Sequence, residues 1–169
     1  MQPKGSMPYY ENPEIEVEID IRGRYLMMAC DIEYSLLNIM AYSAPDPQNQ
    51  VRRFKKMMMN QKIECTIADL KKYKPTYYDQ YKDVLDELEE FRLIRNDMAH
   101  HTIEFHDNND LTKFRTLFID EDNGIEVMKY REYTLSFMAE SVVRFRKSNK
   151  VLAELVFRLK NDYNESHKP

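Results

Sequence analysis

The clearest signal along the chain is a set of apolar positions recurring every three or four residues. Ile21, Tyr25, Met28, Ile32, Leu36 and Met40 form one such stripe, and Val17 joins it a turn earlier. That spacing places them on one buried face of a helix. Just before it, the run from Glu14 to Ile21 alternates charged and apolar residues, which alone would predict a strand. The longer stripe outweighs the shorter alternation and predicts a helix over about 15–43. Pro45 and Pro47 then mark a loop.

From about 48 to 73 the pattern predicts one or two helices, with Val51, Phe54, Met57 and Met58 leading to Ile63, Ile67 and Leu70. The triple Met57-Met58-Met59 is expected to fill the core, because unbranched thioether side chains adapt to irregular gaps, with a partner-binding surface as the alternative. After Pro75, Thr76 is positioned to cap a new helix. The seam of this helix runs Tyr81, Val84, Leu88, Phe91 and Met98, in alternating steps of three and four. The member missing from that series is position 95, an arginine.

Beyond His101 the period changes. Residues 111–119 are rich in β-formers, Asp122-Asn123-Gly124 supplies a turn, and Ile125 to Tyr130 reads as a second strand. A last helix is expected over about 132–162, with Leu135, Met138, Val142, Phe145, Leu152, Val156 and Leu159 as its seam and Asn149 interrupting it. The expected architecture is all-α: an antiparallel helical bundle carrying a small β-hairpin insertion near 111–130. One domain over 14–163 is expected, between a disordered leader at 1–13 and a frayed tail at 164–169. The opening MQPKGSM looks partly vector-derived, with Met7 a native start.

Composition narrows the function more by exclusion than by suggestion. Apolar residues make up 43% and charged residues 32% of the 169, an ordinary globular balance. The three glycines, Gly5, Gly23 and Gly124, are scattered, so neither a P-loop nor a dinucleotide-binding turn can form. A net charge of −4 exerts no general pull on nucleic acid, though basic groups occur at Arg52 to Lys56, Lys71 to Lys74 and Arg144 to Lys150. Each reads first as a solvated helix face, and as an RNA-contacting face only if the fold unites two of them. Cys30 and Cys65 are expected to be buried free thiols. No apolar run is long enough to span a membrane and no signal core is visible, so a cytoplasmic location is expected. The histidines lack the spacing of a zinc hydrolase helix and no cofactor is expected.

Candidate chemistry therefore concentrates at Arg95-Asn96-Asp97-Met98-Ala99-His100. An arginine in an apolar seam is costly unless its guanidinium meets an anion, a partner acceptor or a wet cleft. Asn96 and His100 share one face of the helix, as do Asp97 and His101. Arg95 and His100 are roughly 140° apart around an ideal helix, so they do not simply stack and one helix does not easily unite them. Fraying of the helix end, or two copies facing each other, would bring them together. A plainer account pairs Arg95 with a bundle carboxylate such as Glu33 and treats His100 as a cation at the helix C-terminus.

This hexapeptide, with the Leu88 to Arg95 run before it, resembles the Arg-x4–6-His motif of HEPN domains (higher eukaryote and prokaryote nucleotide-binding). A polar residue, often asparagine, typically follows the arginine there, and Asn96 matches. The resemblance implies a metal-independent endoribonuclease acting as a homodimer, in phage defence or a toxin–antitoxin system. It would make His100 the general base or acid and Arg95 the phosphate clamp, with Asn96 orienting the histidine or binding phosphate and an early-helix polar residue such as Glu33 or Asp31 in support. Asp97 and His101, at the same helix end, are supporting candidates, although His101 and His106 read first as surface or capping residues. RNA would be the substrate because the 2′-hydroxyl is the attacking group. Toxin members silenced by a partner nucleotidyltransferase carry a tyrosine two residues after the motif histidine. Thr102 stands there instead, which counts against that partner while leaving an antitoxin open. The alternative is a non-catalytic helical dimer binding a nucleotide, RNA or a protein through the same cleft.

Overall fold

A computed structural model describes residues 13–107, 110–122 and 124–167. The helices are α1 (Pro13–Ser43), α2 (Pro47–Phe54), α3 (Met59–Tyr73), α4 (Pro75–His100) and α5 (Leu135–Ser166). Strands β1 (Thr102–Asp107), β2 (Asp110–Asp122) and β3 (Ile125–Thr134) lie between α4 and α5. The result is a mostly helical fold with a small β insertion, as the periodicities predict.

The α1 stripe is the spine of the core. Tyr25, Ile32 and Leu36 are wholly buried, and α1 packs against all four other helices. From α4, Leu85, Leu88 and Phe91 enter the same core, and Phe91 meets Phe145 of α5 edge-on at 5.2 Å between ring centroids. Edge-to-face contact brings the positive rim of one ring to the negative face of the other. Asn149, the break in the α5 seam, accepts a hydrogen bond from Ser35 of α1 at 3.0 Å, so two polar groups satisfy each other between the first and last helices.

Local chemistry sets the helix ends. Asp46 caps α2 by accepting from the Asn49 amide at 3.0 Å, and Pro47 supplies the first helical residue. Thr134 caps α5, accepting from the Phe137 amide at 3.1 Å. At α4 the expectation for Thr76 fails: Lys74 holds the cap position and Pro75 opens the helix, leaving Thr76 in the first turn. Proline suits that first position because its fixed φ is already helical and it has no N–H to leave unpaired. At the far end, α5 continues to Ser166, beyond the expected stop near 162.

The insertion has three strands where a two-stranded hairpin was expected. Strand order is β1-β2-β3, antiparallel throughout, with Ile103 opposite Thr116 and Phe114 opposite Tyr133. Those four residues form a buried inner face. The opposite face carries Arg115 and Glu104, joined at 2.7 Å and open to solvent. Gly124 turns the chain between β2 and β3 at φ +79°, a conformation that disfavours any side chain. Asn123 of that expected turn lies outside the described residues, as do residues 1–12 of the expected leader and residues 168–169 of the tail.

Two burial expectations are also corrected. Of the three consecutive methionines only Met59 is buried, and Met58 is among the most exposed apolar residues. Met58 occupies the cap position of α3, ahead of the helical face that turns inward. Both cysteines are free, but Cys30 is exposed and Cys65 half-buried. Cys30 lies on the solvent side of α1, opposite the stripe that fills the core.

Candidate functional site

The last two turns of α4 carry the motif, and their side chains divide between two faces. Arg95 holds its seam position between the wholly buried Phe91 and Met98, yet is itself only half-buried. Its stem follows the seam, and the head works outward along it, as long cationic side chains do at a core margin. Nη1 donates to Asn96 Oδ1 at 3.2 Å and lies 3.4 Å from His100 Nε2. A guanidinium can only donate, so Nε2 of His100 is the acceptor here and Nδ1 carries the ring proton.

That contact overturns the geometric expectation that one helix does not easily unite positions 95 and 100. The arginine side chain is long enough to span the angular gap, with no fraying and no second copy. The plainer pairing with Glu33 is not formed either: Glu33 accepts from Lys62 of α3 at 3.0 Å. Asp31 is exposed on α1. Among the described residues no carboxylate pairs with Arg95, and its Nε is buried without a hydrogen-bond partner. The cation is therefore short of acceptors, next to an exposed imidazole.

The other face is saturated. Asp97 is wholly buried and accepts four hydrogen bonds: from Arg131 at 2.5 Å, Tyr133 at 2.6 Å, His101 Nδ1 at 2.9 Å and Thr116 at 3.2 Å. This carboxylate ties α4 to β2 and β3. Burial and the Asp97 hydrogen bond together push the Tyr133 hydroxyl well above the usual phenolic range. The His101 ring stacks on Phe118 at 5.1 Å, and the Arg131 guanidinium lies 4.5 Å from the centre of the same ring. Arg22 of α1 completes the arrangement by donating to the carbonyls of Met98 and His101, two of the unpaired acceptors at the end of α4.

Arg22, Thr116, Phe118, Arg131 and Tyr133 carry no sign of this role in their local sequence. A weak signal exists for two of them: Arg131 and Tyr133 alternate in a strand, which puts both on one face. His106 stands apart, 3.8 Å from Glu132. The basic groups singled out in the sequence are partly neutralised: Arg144 pairs with Glu90 at 2.5 Å and Lys74 approaches Asp162 at 3.7 Å. Among the described residues no helix is long and apolar enough to cross a membrane, and no three His, Cys, Asp or Glu side chains gather into a metal-binding group. No family model, no curated protein and no solved structure matches the chain.

Proposed function

We propose that this chain is an endoribonuclease of HEPN type, working as a homodimer around Arg95 and His100. The observation that carries the reading is the half-buried Arg95 guanidinium, which has no carboxylate partner among the described residues and lies 3.4 Å from His100 Nε2. A cation held this way binds an anion without first breaking an ion pair. Its planar fork suits phosphate oxygens, and a positive group held beside the reacting phosphorus stabilises the charge that grows there. His100 presents a lone pair at Nε2. Once phosphate draws Arg95 away, that nitrogen takes the proton of the ribose 2′-hydroxyl, the freed oxygen attacks the adjacent phosphorus, and the 5′-oxygen leaves. The products are a cyclic phosphate and a 5′-hydroxyl end. A role in phage defence or as a toxin held by an antitoxin belongs to the same proposal.

One observation favours the binding-only alternative: the nitrogen that must act as base is already in contact with Arg95. Incubating the protein with mixed RNA in EDTA separates the two. Cleavage that persists in EDTA and vanishes in His100→Ala is the expected result. If neither protein cuts RNA, while the unaltered chain retains RNA and Arg95→Ala releases it, the site binds without cutting.

A further inference from the structure

Adjacent to His100 is a second imidazole, held far more firmly than a surface histidine requires. The His101 amide donates to the Asp97 carbonyl at 3.1 Å, and the His101 carbonyl accepts from Arg22 at 2.8 Å. Its Nδ1 is 2.9 Å from Asp97 Oδ1 and its ring rests on Phe118. Backbone, ring nitrogen and ring face are all constrained, yet a quarter of the side chain is open to solvent. A partly exposed ring loses rotamer freedom when it is pinned.

The hydrogen-bond logic around Asp97 settles which atom of the ring is available. The three other partners of this carboxylate, Arg131, Tyr133 and Thr116, all donate to it. Asp97 can only accept, so His101 Nδ1 donates and the proton on that nitrogen is committed. Nε2 remains, and among the described residues nothing hydrogen-bonds it. The two neighbouring histidines are thus set differently. His100 offers a lone pair to a cation, and His101 is backed by a carboxylate, an arrangement that orients an imidazole for proton transfer.

Resting on the ribonuclease reading above, we propose that His101 is the general acid of this site. Cleaving a phosphodiester by 2′-attack moves two protons, one off the 2′-oxygen and one onto the 5′-oxygen. His100 Nε2 takes the first as the O2′–P bond forms. His101 Nε2 gives the second as the P–O5′ bond breaks, leaving a neutral ring still bound to Asp97 through Nδ1. The step ends with one proton gained by His100 and one lost by His101, and exchange with water restores both. His100 and His101 leave the end of α4 on adjacent faces, with consecutive Cα atoms about 3.8 Å apart, so one phosphodiester must lie across that helix end and be reached from either side.

A leaving group that needs no proton provides the test. An oligonucleotide whose cleavage position has been mapped is made in two forms, one normal and one with sulfur replacing the bridging 5′-oxygen at that linkage. The variant is His101→Asn, whose amide still donates to Asp97. His101→Gln serves as a second variant, and thermal melting confirms that each folds. The expected result is a loss of about 100-fold or more on the normal linkage, with the sulfur linkage cut within a few-fold of the unaltered rate. His100→Ala should lose both. Equal losses on the two linkages, or no loss on either, would overturn the role of His101. If the unaltered chain cuts neither oligonucleotide, the ribonuclease reading itself is what fails.

Discussion

Arg95 and Asp97 sit two residues apart on one helix, and they are treated in opposite ways. Asp97 is buried and takes four hydrogen bonds from three directions. Among the described residues Arg95 meets two acceptors, Asn96 and His100, neither of them a carboxylate, and its buried Nε meets none. A buried charge contributes to stability only when its hydrogen-bonding capacity is used, because desolvation otherwise outweighs attraction. By that criterion Asp97 is structural, fastening the sheet to α4. Arg95 is a cost to the fold that the fold does not recover. Uncompensated costs of this kind are where function is to be sought.

The sharpest way to break the contrast is to remove the saturated charge. Asp97→Ala strands the Tyr133 and Thr116 hydroxyls and the Arg131 cation, so a loss of roughly 3–5 kcal/mol is expected. At about 2–4 °C per kcal/mol for a chain of this size, the melting temperature should fall by about 10 °C. A shift of only a degree or two would mean that the sheet is held by something else.

A buried hydroxyl that makes no bond to Arg95 or Asp97 gives a reference. Burial pushes the Tyr25 hydroxyl up to about 12, its bond to Ser141 opposing the shift, while the unfolded chain ionises near 10. The folded state keeps its proton longer, so this contribution is complete below pH 10 and is lost as pH rises through about 12. Over that window roughly 2–3 kcal/mol should disappear. Denaturant melts at stepped pH check this, and Tyr25→Phe should make the dependence shallower, Tyr133 carrying the rest. An unchanged slope in that variant would assign the loss to other groups.

Arg95→Met probes the unsaturated charge. Restoring an apolar residue to the seam removes the unpartnered Nε and should raise stability by about 1 kcal/mol. RNA cleavage should fall by about 100-fold or more in the same protein. A variant both less stable and fully active would show that the guanidinium serves the fold. The smallest effect is expected at Glu33, a partly exposed pair with Lys62: Glu33→Gln should alter stability by less than about 0.5 kcal/mol and leave cleavage unchanged. Lost cleavage there would return Glu33 to the site.

The helices were legible because burying a core requires a repeating apolar stripe, and Ile21 to Met40 or Tyr81 to Met98 display one directly. Strand β1 was not, because its polar/apolar alternation is short and carries only Ile103 and Phe105 as apolar members among six residues. Arg95 stood out as a charge where an apolar residue was due. Its contact with His100 was misjudged because angles around a helix axis locate Cβ atoms, not the end of a long side chain. The three strand partners of Asp97 were invisible for a different reason. They lie 19, 34 and 36 residues further on, and no local pattern reports a contact made only by the folded chain.

That separation also governs how the molecule is made. A nascent chain that has emerged only through α4 already carries Arg95 and His100, but not the strand residues that seat the turn between them. The end of α4 takes its final form after β3 has been synthesised and docked, and α1 gains its α5 neighbour later still. Translation thus delivers the motif early and its scaffold late, and a half-made polypeptide has the ingredients of the site without the site.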